Sequence, residues 1–195
     1  MSGTSYEYSL IFPPGWGRFR PNQEAERHVV HNLTEAFAAS GDMRALTRFR
    51  ALVHTSFEEL RRRGAVAVHV PTETVEGVAL PASVSVLPAP FRSEEDAARF
   101  EAALTARGAT VKVGEEGTAR IVRWEERTDH AAGEQGVSAL SVGYVFPAPD
   151  GSRLRPAVVA GSILYPTGDE ENELTRSLLA LIDAVAGTFT WRRSE

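Results

Sequence analysis

The run from 137 to 165 constrains the fold most. Leu140, Val142, Tyr144 and Phe146 alternate along one side of a strand spanning Val137–Phe146, and Val158, Ala160 and Leu164 are among the apolar residues of the next, Arg155–Tyr165. Strands that are apolar on both sides belong at the centre of a sheet covered on both faces. Asp150-Gly151 lies between them and is a hairpin signal, because both residue types tolerate the left-handed backbone of a tight turn.

Around this pair the apolar period switches between two and three-to-four. Tyr6–Phe12 reads as a short strand stopped by Pro13-Pro14-Gly15, with Trp16 and Phe19 in the turn that follows. A helical stretch runs from about Asn22 to Ala39 and stops at Ser40-Gly41; a second has Asp42 as its cap, an apolar stripe of Leu46, Phe49, Val53, Phe57 and Leu60, and Gly64 as terminator. The two predict a helical hairpin over 22–63. From Ala65 the period is two: Val66, Val68 and Val70 face one way and Ala65, Ala67 and His69 the other, followed, past a Glu76-Gly77 turn, by a strand over Ala79–Leu87. Ser93 with Asp96 suggests a capped helix to Ala106, closed by Gly108. Strands follow at Thr110–Val113 and Thr118–Arg127, then the central pair. Thr167-Gly168-Asp169-Glu170 opens a last helix with Leu174, Leu178, Leu181, Ile182 and Val185 as its core stripe, before a closing strand Thr188–Trp191. The order β–αα–ββ–α–ββββ–α–β predicts an α+β protein, one domain over 1–195, with a single mainly antiparallel sheet flanked by helices and the helical hairpin as an excursion.

Composition removes several classes of function. The 195 residues are 43% hydrophobic and 24% charged, which suits a globular domain needing no metal or disulfide to fold. There are no cysteines, hence no thiolate metal site and no cysteine nucleophile. A formal charge of −5 argues against a nucleic-acid partner. No apolar run is long enough to insert in a membrane, and the N-terminus lacks the basic start and apolar core of a signal peptide, so a cytoplasmic setting is expected.

The most chemical-looking constellation is Glu24, His28, His31 and Glu35, at helical spacings of four, three and four. Two imidazoles and two carboxylates on one face could hold a divalent metal. The stripe lies opposite Val29, Leu33 and Phe37, so the expectation is a solvated face with no metal and no cofactor. His54 falls opposite the apolar stripe of its helix. Asp129-His130 is a loop pair, and neither a nucleophile elbow nor a phosphate loop is present. Small residues recur on strand faces, at Ala65 and Ala67, Ser83 and Ser85, and Ala139, Ser141 and Gly143; they permit close approach of a helix or leave room for a groove. Trp16, presented after two prolines, is either a plug at the core edge or an interface anchor with Phe12 and Phe19.

Leu10-Ile11-Phe12-Pro13-Pro14-Gly15-Trp16 resembles the "LPPGW" opening of a group of uncharacterised actinobacterial proteins. Ser162-Ile163-Leu164-Tyr165-Pro166, Leu181-Ile182-Asp183-Ala184-Val185 and Phe189-Thr190-Trp191 are similar to the ending of that group, although its strand has a phenylalanine where this chain has Ser162-Ile163-Leu164. The element order resembles the PsbP-like α/β/α sandwich. The resemblance implies a non-enzymatic accessory protein that binds another protein, linked by association to a secretion or surface-assembly system, and it transfers no catalytic residues. The rival reading is a small-molecule- or metal-binding enzyme using the small-residue sheet face or the Glu24/His28/His31/Glu35 stripe.

Overall fold

The computed structural model describes residues 5–40, 43–73, 80–116, 119–129, 137–169 and 171–194, with the side chains of 28, 32–33, 35–40, 43–46, 48–49, 115–116 and 119 excepted. The expected Gly41 stop, Asp42 cap, Glu76-Gly77 turn and His130 lie outside the described residues. In chain order the elements are β1 (Ser5–Ser9), β2 (Trp16–Phe19), α1 (Gln23–Ser40), α2 (Met43–Arg62), β3 (Ala67–Pro71), β4 (Ala82–Pro88), α3 (Glu94–Ala106), β5 (Thr110–Glu116), β6 (Ala119–Thr128), β7 (Val137–Phe146), β8 (Ala157–Pro166), α4 (Glu173–Ala186) and β9 (Thr190–Ser194). The class is α+β. Seven strands form a wholly antiparallel sheet in the order β2-β3-β4-β8-β7-β6-β5.

β7 and β8 are central, as their two-sided apolarity requires. One face carries Val84, Val86, Leu140, Val142, Tyr144, Phe146, Val159 and Ile163 under Leu178 and Ile182 of α4. The other carries Leu87, Val122, Trp124, Val145 and Val158 under Phe100 and Leu104 of α3. Farther along this second face, Phe19 and Val68 are covered by Ala25, Val53 and Phe57 of α1 and α2. Each large side chain so buried contributes about 1.5–3 kcal/mol. Two glycines set the layer spacing. A Cβ on Gly161 would come within 2.6 Å of Ile182, and one on Gly143 within 2.1 Å of the Trp124 ring. The space above Gly143 is thus filled by an indole. The small-residue strand positions also divide between faces: Ser83, Ser85, Ala139, Ser141 and Gly143 lie on the α3 face, whereas Ala67 shares the α4 face with His69.

Three local readings change. Trp16 to Phe19 are not turn residues but the edge strand β2. Gly15, at φ +83°, makes the turn, and Thr72 N–H bonds its carbonyl at 2.8 Å. β1 does not join the sheet; it pairs with β9 in a separate two-stranded ribbon, Tyr8 opposite Trp191. The cap of α4 is Asn172, whose side chain accepts the Thr175 N–H at 2.7 Å, rather than the acidic turn from Thr167. The Ser93 cap of α3 is as expected, accepting from Asp96 N–H at 3.2 Å.

Candidate functional site

The N-terminal corner brings Phe12 and Trp16 together but excludes Phe19. Phe12 is half-buried, stacked on His69 at 4.1 Å between ring centroids and tilted against Trp16 at 5.3 Å. Both pack on the edge of the α4-side core. Because side chains alternate along β2, Phe19 points through to the opposite face and packs beneath α1 and α2. The three expected interface residues therefore form no common patch; Ile11, Pro13 and Pro14 are the exposed apolar residues beside Phe12. His69 is only 6% exposed and its Nε2 has no hydrogen-bond partner among the described residues. Burial, and then the Arg18 charge opposite it on β2, push its pKa down to about 4.

On α1, Glu24 and His31 are exposed, and the side chains of His28 and Glu35 lie outside the described residues. Among the described residues no three His, Asp or Glu gather as a metal site. The ordered polar cluster on these helices is a different one. Glu26 of α1 accepts from Arg61 at 2.7 Å and meets His54 Nδ1 at 2.6 Å, both on α2. Burial acts to raise the Glu26 pKa, but the hydrogen bonds from His54 and Arg61 outweigh it and hold the carboxyl below its ordinary range. The Glu26 hydrogen bond and then the Glu58 charge raise His54. These contacts join the start of α1 to the end of α2, so the pair runs antiparallel. His54 was legible as a residue off the apolar stripe, but its partner was not.

A second polar cluster ties α4 to the sheet. Arg123 makes two hydrogen bonds to Asp183, at 2.9 and 3.1 Å, and Tyr144 donates to the same carboxylate. Arg123 also meets Glu125 at 2.5 Å. One guanidinium is shared between two carboxylates, and the Tyr144 hydroxyl adds a donor to Asp183, which makes the cluster an anchor for the helix.

A concave feature among the described residues lies on the other face. Between α3, the ends of β6 and β7 and the 147–156 connection is a groove of about 480 Å³. Phe91, Phe100, Val122 and Val145 are its apolar lining, and Pro147, Pro149 and Pro156 form the opposite side. Arg120 projects into it from β6 and is clamped by both carboxylate oxygens of Glu101 at 2.5 and 2.6 Å. Glu94 and Asp150 complete the polar lining, and both are exposed. The clamp fixes α3 over the sheet while removing the net charge of Arg120. No protein-family model matches this sequence, and no curated protein matches it. The strand holding Arg120 and the Asp150-Gly151 turn are legible locally, but no local pattern shows that the 147–156 connection folds back beside α3.

Chemically, the groove offers shape, apolar surface and two acidic groups at its margin. Its cation is paired with Glu101, whose two oxygens take two of the five guanidinium donors.

Proposed function

We propose that this chain is a non-catalytic accessory protein that recognises another protein, and that the groove beside α3 is the surface it uses. The observation that carries this reading is the combination of an apolar wall on a rigid sheet with a cation already neutralised by Glu101. Proline-framed walls lose little freedom when they are covered, which favours burial of a partner's side chains. The likeness of both chain ends to the LPPGW-type actinobacterial group, and of the element order to the PsbP-like sandwich, supports the same reading. A cytoplasmic role beside a secretion or surface-assembly system is the setting that this likeness implies.

A photo-crosslinking side chain at Pro149, introduced in cells of the native host, tests it. A discrete adduct with a second polypeptide is expected from position 149 and not from exposed Leu174 on the opposite layer. Absence of any polypeptide adduct at 149, with a small molecule co-purifying on the folded chain, would overturn the proposal.

A further inference from the structure

We infer that the segment filling this groove is a short peptide with a large apolar side chain next to a lysine or arginine. The inference rests on the groove being a protein-binding surface and adds the chemistry of what it binds. Four lining groups are ionisable: Glu94, Glu101, Asp150 and Arg120. Arg120 and Glu101 cancel in their two-pronged pair, which leaves the carboxylates of Glu94 and Asp150. Among the described residues neither makes an ion pair, Glu94 feeling the Arg120 charge only at a distance, whereas Glu95 and Asp96 beside Glu94 are both engaged by Arg99. The nearest cations along the chain, Arg92, Arg153 and Arg155, lie outside the lining, and Arg92 is turned to the Arg153 carbonyl at 3.3 Å. An occupant meets two acids around an apolar floor. Like charge would be repelled there, and a cation beside an apolar anchor satisfies both the rim and the floor. About 480 Å³ accommodates one or two large side chains, not a folded domain.

Selection from a random peptide library displayed on phage, with the folded chain immobilised, tests the assignment. Enriched peptides are expected to carry Lys or Arg within two positions of Phe, Leu or Trp. Binding of a synthetic copy should weaken by about threefold on Glu94→Gln, by about tenfold on the double change Glu94→Lys and Asp150→Lys, and steeply with added salt. Both residues are exposed and outside the core, and an unchanged melting temperature verifies that the variants fold. Phe100→Tyr, which keeps the ring but adds a hydroxyl to the floor, should also weaken the peptide. Enrichment of acidic or uncharged sequences that compete at the groove would overturn the charge assignment and leave the protein-binding reading in place. Failure to enrich any peptide sensitive to Phe100 or Glu94 would overturn both.

Discussion

His69 is a histidine that the fold holds neutral. Its ring is buried with Nε2 unpaired among the described residues, and Arg18 sits opposite, so an imidazolium is disfavoured first by burial and then by like charge. The sign follows from the lowered folded pKa. The unfolded chain takes up the proton first as pH falls below its ordinary 6.5, so stability declines from there to about 4 and then levels off for this group. The full displacement corresponds to about 3 kcal/mol. Glu26, held below its ordinary value, adds a separate loss in the acid range beneath 4.5. Denaturant midpoints measured from pH 7 to 4 should fall, and His69→Phe, which keeps the stack on Phe12, should flatten the part above 4.5. An unchanged acid slope in that variant would show that His69 is not the titrating group.

At the scale of elements, α4 shows how far an apolar period can be trusted. The spacing of Leu174, Leu178, Leu181, Ile182 and Val185 suggests one buried stripe. Leu178, Ile182 and Val185 are buried as expected, but Leu181 is half-buried and Leu174 is 42% exposed. The helix starts at Glu173, so Leu174 sits in its first turn, ahead of the first buried residues of the helix. A graded series follows. Leu178→Ala should cost about 2–5 kcal/mol, Leu181→Ala less, and Leu174→Ala under about 0.5 kcal/mol, read from urea midpoints. Equal losses at 178 and 174 would contradict the packing described.

For the whole molecule, the consequence of two central strands carrying both layers is mechanical coupling. Val159 at 0% exposure faces α4, while its neighbours Val158 and Ala160 face α3. Neither layer can lose its sheet surface without stripping the other, so unfolding should be cooperative. With Trp16 and Trp191 changed to Phe, Trp124 reports on the α3 layer through its fluorescence. Far-UV circular dichroism follows the helices of both layers. The two signals should change at the same denaturant concentration in that background and with Val159→Ala added, the latter shifted lower. Separated transitions would mean that the layers unfold independently.

What the sequence determined by itself is what depends on short-range periodicity and backbone chemistry. The two-residue alternation of β7 and β8 required a central antiparallel pair, and Ser93 and Gly108 bounded α3 because caps and left-handed glycines act over three or four residues. The tertiary structure alone decided which distant groups meet. β1 looked like a sheet strand, yet Ser5 to Ser9 pair with Ser194 to Thr190 at the far end of the chain. Phe12 and Trp16 were legible as a unit, but β2 being a strand separates them from Phe19 by the thickness of the sheet. The groove required Glu101 to reach Arg120 nineteen positions away and the 147–156 connection to return beside α3. Such pairings are chosen by the closest joint packing of both layers, and that depends on every buried side chain at once, not on any local run.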